Sequence, residues 1–191
     1  YEIRPRDWVQ TCALPILKRI QKDDKVEVEC LLEAGADVND VFEEQISPLG
    51  VAAAEGNIEI IKLLREYGAV LSIRFDGGRD AAWLAMDNHQ YEAFDLLLDM
   101  GAKTNIRLRD TSETRLIAAV RNSDLRIVKR LVDRGVNVDD YDKERKTALH
   151  YNLAIEPYEA DDIEIGRILL YSGCNPNNKD IDDVPAHEYA K

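Results

Sequence analysis

Residues 47–69 read SPLGVAAAEGNIEIIKLLREYGA, and the rest of the chain is interpreted outward from this stretch. Ser47 is a good helix N-cap, because a short side-chain oxygen can accept a hydrogen bond from an orphan backbone N–H of the first turn. Pro48 follows at the first helical position, where its missing N–H costs little. The apolar segment Ile60–Leu64 ends at Gly68, as in an amphipathic helix stopped by a left-handed cap. The stretch therefore predicts two helices joined by a turn.

The same landmarks recur along the chain at a nearly constant interval. Helix-stop glycines are separated by 33, 33, 34 and 38 residues, at Gly35, Gly68, Gly101, Gly135 and Gly173. N-cap residues precede four of the helix pairs, at Ser47, Asp80, Thr114 and Thr147. A single helix pair is too small to bury its own apolar face, so such pairs stack on their neighbours. The repeat predicts an all-α stack of helix–turn–helix pairs.

This pattern resembles the ankyrin repeat family, whose motif begins Thr-Pro-Leu-His, continues with Ala-Ala and Gly-His, and ends Leu-Leu-x-x-Gly-Ala-x-x-Asn. The matching segments are Ser47–Gly50, Ala52-Ala53, Gly56-Asn57, Leu63-Leu64, Gly68-Ala69, Leu31–Asn39, Thr147–His150 and Val184–His187. The resemblance covers roughly residues 17–191. It implies an all-α ankyrin-repeat solenoid, in which loops or β-turns project as fingers between the stacked helix pairs.

The resemblance divides the chain into repeats over about 17–46, 47–79, 80–113, 114–146 and 147–183, with a truncated repeat over 184–191. Because this last repeat stops in mid-helix, we expect the chain to be a fragment of a longer protein. Residues 1–16 resemble the in-frame translation of a sequencing-library adapter, and we interpret them as a non-native scar. The alternative is that Leu14–Lys22 forms the first helix of repeat one.

Departures from the family motif make further predictions. The resemblance implies that His150 and His187 join neighbouring loops through hydrogen bonds of their rings, whereas Trp83 stands at that position in repeat three. Ser123 replaces the glycine between the two helices of repeat four, and His89 lies at the same turn of repeat three. An insertion within Ala154–Asp162 predicts a longer solvated loop, or alternatively a contact loop.

The composition excludes several classes of protein. The chain is 45% apolar and 32% charged, which is typical of a globular protein. Its formal net charge of −12 argues against nucleic acid as a partner, because phosphate contacts need a surplus of lysine and arginine. The longest apolar run is Ala81–Met86, far shorter than the roughly 20 residues of a membrane span. The cysteines form no CxxC pair, which predicts a reducing, cytoplasmic compartment.

The sequence offers no recognisable chemistry. It contains no phosphate-binding glycine loop and no metal-ligating histidine spacing, so we expect no catalytic residue, cofactor, metal or small-molecule substrate. Cys30 and Cys174 are interpreted as packed rather than reactive. Short polar residues recur four positions after the helix-stop glycines and are expected to bond to the local backbone, at Asn39, Asn105 and Asn177.

The family resemblance places partner recognition on the finger tips and on the exposed end of each first helix, which together line a concave face. Carried over to this chain, the predicted contact residues are Glu43, Glu44, Ile46 and Glu55 in repeat two, Asp76, Arg79, Asp87 and Asn88 in repeat three, Asp110, Thr111, Glu113, Arg121 and Asn122 in repeat four, and Lys143, Glu144 and Lys146 in repeat five. Phe42 and Phe75, near the finger bases, are either apolar anchors for a partner or packing residues between adjacent loops.

The predicted contact residues carry an uneven charge. Those of repeats two and three sum to −4, and those of repeats four and five sum to zero. We therefore expect a protein partner with a basic patch that faces the N-terminal repeats, unless the charges serve only solubility. The sequence predicts a non-catalytic protein–protein interaction module. The alternatives are the target-recognition arm of a larger enzyme or effector, and an inhibitor that blocks a neighbouring active site.

Overall fold

Short polar side chains begin the helices where the sequence predicts them. Ser47 accepts a hydrogen bond from the backbone N–H of Gly50 at 3.2 Å, and Asp80 accepts one from Trp83 at 2.9 Å. Thr114 does the same for Ile117 at 3.2 Å. The computed structural model in which these caps are seen describes residues 16–41, 46–155 and 159–190.

The described residues fall into two units, which divide between Lys103 and Thr104. The helices of the first unit are α1 (Lys25–Glu33), α2 (Pro48–Glu55), α3 (Ile58–Glu66), α4 (Ala81–Asp87) and α5 (Tyr91–Asp99), preceded by a helical stretch over 16–21. A short 3-10 turn over Asp76–Gly78 lies between α3 and α4. Within this unit α2 packs on α4, while α3 packs on both α1 and α5. First helices thus stack on first helices, and second helices on second helices.

The second unit repeats this arrangement. Its helices are α6 (Arg115–Arg121), α7 (Leu125–Asp133), α8 (Ala148–Ala154) and α9 (Ala160–Tyr171), followed by a 3-10 turn over Ala186–Tyr189. Helix α8 packs on α6 and on the 3-10 turn, and α9 packs on α7. The described residues include no β-strand, although three isolated bridges close the loops described below. Part of the predicted insertion, residues 156–158, lies outside the described residues, as do residues 1–15 of the predicted scar.

Left-handed backbone joins the two helices in the pairs α2–α3, α4–α5 and α6–α7. Gly56 has φ +76° at this turn, and His89 and Ser123 adopt φ values of +55° and +52° at the equivalent positions. The sequence placed both residues at this turn correctly. Glycine adopts this conformation without steric cost, so His89 and Ser123 hold a strained backbone there.

The polar residues that follow the helix-stop glycines make longer-range bonds than predicted. The side-chain amide of Asn39 donates to the carbonyl of Gly68 and accepts from the N–H of Val70, about one repeat away in sequence. Asp139, which stands at the equivalent position of a later repeat, accepts from the N–H of Asn175 at 2.9 Å. The expected local bond is therefore wrong for Asn39, because the next loop lies within reach once the pairs stack.

Cys30 is exposed, contrary to the expectation that it is packed. The equivalent residue of α3 is Leu63, which is buried, and α3 has a second helix on either side of it. Among the described second helices, only α3 packs on α1. Cys30 is therefore not covered by a second helix on the other side of α1. Cys174 is buried as expected, and burial raises the pKa of its thiol to about 11.

Large side chains fill both units. Trp83 of α4 is fully buried, as are Phe94 and Leu97 of α5. In the second unit Arg115 is also fully buried, at the position where the family motif has proline. Among the described helices, none has both the length and the apolar character needed to cross a bilayer.

Candidate interaction site

Three loops of the second unit form fingers, each closed at its base by a single β-bridge. We name them finger four (residues 107–114), finger five (141–147) and finger six (179–185), after the bridges Arg107–Thr114, Tyr141–Thr147 and Lys179–Pro185. Fingers four and five end at the N-caps of α6 and α8, and finger six ends directly before the 3-10 turn over Ala186–Tyr189. The helical residues that follow fix the point from which each finger projects. A closed turn of this kind presents its tip to solvent.

A buried aspartate organises finger five. One carboxylate oxygen of Asp142 accepts from the backbone N–H groups of Glu144 and Lys146, at 2.9 and 3.0 Å. The other oxygen accepts from the hydroxyl of Tyr151 on α8 at 2.6 Å. Burial raises the pKa of Tyr151, and its hydrogen bond to the Asp142 carboxylate acts in the same direction. The tyrosine hydroxyl therefore remains a donor throughout the physiological pH range.

Finger six repeats this arrangement with other residues. One oxygen of Asp180 accepts from the N–H groups of Asp182 and Val184, at 2.9 and 3.0 Å. The other accepts from the hydroxyl of Tyr189. This bond from Tyr189 lowers the pKa of the Asp180 carboxyl, so the group stays ionised under physiological conditions. In both fingers the aspartate and tyrosine are separated by nine residues, and we call this pairing the Asp–Tyr latch.

Backbone hydrogen bonds connect successive fingers. The N–H of Lys143 in finger five donates to the carbonyl of Thr111 in finger four at 3.0 Å. The N–H of Ile181 in finger six donates to the carbonyl of Glu144 in finger five at 2.8 Å. The side chain of Lys143 adds a bond to the carbonyl of Asp110 at 3.1 Å. The three fingers thus form one hydrogen-bonded row within the second unit.

Stacked helix pairs with projecting fingers are what the motif of the sequence predicts, and a family model described as ankyrin repeats (3 copies) matches residues 20–110 and 104–180. The chain belongs to the ankyrin repeat family. Its structure superposes on the crystal structure of the ankyrin repeat domain of Bcl-3 with a TM-score of 0.84 at 22% identity, over 93% of this chain and 77% of that chain. The all-α ankyrin-repeat fold expected from the sequence is therefore confirmed.

Two viral ankyrin repeat proteins are among the similar curated sequences. FPV244 of fowlpox virus (strain NVSL) is 34% identical over 138 residues, which are 71% of this chain and 20% of that protein. L371 of Acanthamoeba polyphaga mimivirus is 27% identical over 172 residues, which are 90% of this chain and 22% of that protein. The chain spans about a fifth of the length of these relatives.

Several predicted contact residues of the ankyrin fingers in the first unit are accessible. Glu55 is exposed at the end of α2, and Asn88 is exposed just after α4. Arg79 forms an ion pair with Asp87 at 3.2 Å, and both side chains remain partly open to solvent. Phe42, Glu43 and Glu44 lie outside the described residues, as does the side chain of Asp76.

Phe75 is buried and packs on a helix, whereas the sequence left open a partner anchor or packing between adjacent loops. Its side chain is 6% exposed, and its ring lies directly over Gly50 of α2. A Cβ atom built on Gly50 would stand 2.7 Å from Cζ of Phe75 and 2.9 Å from Cγ1 of Ile46. Ile46, another predicted contact residue, therefore also packs beside Gly50 and is only half-buried.

The second unit brings most of its predicted contact residues together around the fingers. Asp110, Lys143 and Glu144 are exposed on the tips, whereas Thr111 is half-buried and accepts from the N–H of Glu113 through its hydroxyl. The carboxylate of Glu113 is largely buried and pairs with Arg121 at 3.0 Å. Glu113 thus offers little surface to a partner.

Cations of this unit lie over tyrosine rings. The guanidinium of Arg121 is 5.5 Å from the ring centre of Tyr151, and Nζ of Lys146 is 5.8 Å from that of Tyr189. Lys146 also pairs with Glu144 at 3.0 Å, and this hydrogen bond raises the pKa of the lysine. Asn122, after α6, is exposed. The two latch tyrosines therefore position the predicted contact residues Arg121 and Lys146.

His150 is fully buried at the start of α8. Its Nδ1 accepts from the backbone N–H of Thr147 at 3.0 Å, which assigns the hydrogen of the neutral ring to Nε2. Nε2 faces the backbone of Val184 and Asn178 without a hydrogen bond of standard geometry. Burial lowers the pKa of His150, although these backbone groups and the Asp180 carboxylate oppose the shift. The ring thus caps its own helix and contacts finger six.

Sequence reasoning missed both latches and two exposed arginines. The signal for the latch was an aspartate followed nine residues later by a tyrosine, which occurs at Asp142–Tyr151 and again at Asp180–Tyr189. Arg109 and Arg145 are exposed on fingers four and five, beside predicted contact residues. In the described part of the chain, His, Cys, Asp and Glu side chains do not gather into a group that could hold a metal ion.

Proposed function

We propose that this chain is a non-catalytic protein-interaction module, which binds a protein partner through its fingers and the exposed ends of its first helices. The observation that carries the proposal is the hydrogen-bonded row of fingers four, five and six. Because backbone bonds join these three loops and Asp–Tyr latches fix fingers five and six, binding costs little ordering entropy. The tips nevertheless keep Asp110, Lys143 and Glu144 open to solvent.

The fingers of the first unit suit a partner with a basic patch. Arg79, the one cation among their predicted contact residues, forms an ion pair with Asp87. Arg79 therefore does not neutralise the other predicted acidic residues, which are Glu43, Glu44, Glu55 and Asp76. Complementary charge of this kind sets the association rate and the orientation of a partner more than its affinity. The binding of such a partner should therefore slow as the salt concentration rises.

A second candidate is that the chain is the target-recognition arm of a larger enzyme or effector. The observation in its favour is that the chain matches only 20% and 22% of the length of the two viral relatives. Sequencing of the source locus beyond both ends separates the candidates. A neighbouring domain with a catalytic motif supports the recognition arm, and further ankyrin repeats support the stand-alone binder.

Hydrogen-exchange mass spectrometry on a captured partner tests the interaction module. The immobilised chain first captures binding proteins from a lysate of its source, and the purified complex is then compared with the free chain. We expect slower exchange in fingers four to six and at the ends of α2, α4 and α6. Slower exchange confined to the second helices α3, α5 and α7 would contradict the proposed face.

A further inference from the structure

The tips of fingers four and five carry three exposed cations, at Arg109, Lys143 and Arg145. Among the ion pairs of the described residues, none engages these three side chains. Of the two exposed acids at the same tips, Glu144 is paired with Lys146 at 3.0 Å, whereas the Asp110 carboxylate sets one negative charge against the three cations. Lys143 donates to the backbone carbonyl of Asp110 at 3.1 Å. The tips therefore present positive charge on a chain whose net charge is −12.

Arg145 holds an unfavourable backbone conformation. Its φ is +61°, in the left-handed region that side chains other than glycine rarely adopt. The equivalent positions of the other fingers are also left-handed, with φ of +88° at Gly78, +55° at Ser112 and +66° at Asp183, so the turn itself imposes this conformation. Among the described residues, no hydrogen bond or ion pair engages the guanidinium of Arg145.

The surrounding bonds keep these cations in place. The N–H of Arg145 donates to the carbonyl of Asp142, and the Asp142 carboxylate accepts from the residues on either side of Arg145. The bond from Lys143 to Thr111 fixes finger five beside finger four, which carries Arg109. The positive charges are therefore held on one row rather than on independent loops.

We propose that the tips of fingers four and five bind an acidic peptide segment of the protein partner, through Arg109, Lys143 and Arg145. This inference rests on the proposed function and names the chemistry that the second unit recognises. Arginine and lysine side chains bind carboxylates through charge-assisted hydrogen bonds, and arginine can engage both oxygens at once. The first unit, whose fingers are acidic, would contact a different and basic part of the partner.

Fluorescence anisotropy with a labelled peptide of alternating glutamate and aspartate tests the proposal. We compare the full chain with Arg145→Gly, with the triple variant Arg109→Gln, Lys143→Gln and Arg145→Gly, and with the control Lys129→Gln. Lys129 is an exposed cation on α7, away from the fingers. Arg145→Gly should weaken binding by about threefold and the triple variant by about tenfold or more, while the control stays within about twofold of the natural chain.

The melting temperature separates a lost contact from a damaged fold. Glycine relieves the strained backbone at position 145, so Arg145→Gly should melt at the same temperature or higher while binding the peptide more weakly. Equal binding by the natural chain and the triple variant, an equal loss in Lys129→Gln, or no binding by the natural chain would overturn the inference. Each of these results leaves the proposed function standing if the partner footprint in hydrogen exchange still falls on the fingers.

Discussion

The hydroxyl of Tyr151 donates to Oδ2 of Asp142 at 2.6 Å, and this bond joins helix α8 to the base of finger five. Tyr189 and Asp180 make the same bond nine residues apart in the next repeat. At the corresponding finger of the first unit, the base residue is Phe75, which packs on Gly50. Fingers five and six are thus fixed by a charged hydrogen bond, whereas the loop before α4 is fixed by an aromatic contact.

Removal of the Tyr151 hydroxyl should loosen finger five. Tyr151→Phe leaves a carboxylate oxygen of the buried Asp142 without its donor, and hydrogen bonds to charged groups are worth about 1.5–3 kcal/mol. We expect the free energy of unfolding to fall by about that amount in urea denaturation. Tyr171→Phe is the matched control, since Tyr171 is 84% exposed. Similar losses in the two variants would argue against the latch.

The stability of the chain should depend on pH through His150. Its pKa is lower in the folded state than in the unfolded chain, because burial disfavours the charged ring. The unfolded chain therefore binds the proton first as the pH falls below the ordinary histidine value of 6.5, and stability declines from there toward the folded pKa. Asp180, Lys146 and Tyr189 lie around the His150 ring. The pKa of Asp180 is lowered by its hydrogen bond from Tyr189, so this carboxyl gains a proton only at a pH below that at which histidine titrates.

Thermal melts between about pH 5 and pH 7.5 measure this effect. The natural chain should lose melting temperature toward the acid end, and His150→Gln should show a flatter dependence from a lower starting value. His89→Gln, at an exposed position, should keep the slope of the natural chain. An unchanged slope in His150→Gln would show that other groups cause the acid sensitivity.

Gly50 and Phe75 should behave as a coupled pair. Gly50→Ala introduces a Cβ atom 2.7 Å from the Phe75 ring, and overpacking of this kind typically costs about 1–3 kcal/mol. The gain in helix propensity, about 1 kcal/mol, offsets part of that cost. Phe75→Leu in the Gly50→Ala background should cost less than it does alone. Strictly additive unfolding energies in this double-mutant cycle would contradict the contact.

Ser123 and His89 occupy equivalent left-handed turns of different repeats, but their substitution by glycine should change stability in opposite directions. The Ser123 hydroxyl donates to the buried Asp162 carboxylate at 2.5 Å, so Ser123→Gly exchanges that bond for a relaxed backbone. We expect Ser123→Gly to destabilise the chain by about 1 kcal/mol and His89→Gly to stabilise it by a similar amount. Chemical denaturation checks both, and stabilisation by Ser123→Gly would show that the hydrogen bond contributes little.

Local features of this structure could be predicted from the sequence. Ser47, Asp80 and Thr114 act as caps because capping requires only a side-chain oxygen and the next turn of the same chain. The turn positions of His89 and Ser123 follow from their place in the repeat. The family motif contains the information for both, since every copy must form the same helix pair.

Features that depend on neighbouring repeats were harder to predict. Cys30 has the apolar spacing of a core residue, yet its exposure is decided by whether a second helix lies on each side of α1. Arg115 is fully buried, a placement that is rare for arginine and that its sequence context does not indicate. For Phe75 the sequence left open a partner anchor or packing between loops, and only the three-dimensional structure shows that its ring lies on Gly50. Contacts between side chains of different repeats depend on how the repeats stack, and the motif of a single repeat does not specify that stacking.

Binding of the partner by the fingers and first-helix ends can be tested by calorimetric titration of a captured partner with the triple variant Glu43→Lys, Glu44→Lys and Asp76→Lys. The matched control, Glu33→Lys, Glu66→Lys and Glu92→Lys, makes the same change in net charge at exposed positions of the second helices. We expect the finger variant to lose about tenfold or more in affinity and the control less than about twofold. Equal losses in the two variants, or none in either, would show that the partner binds elsewhere.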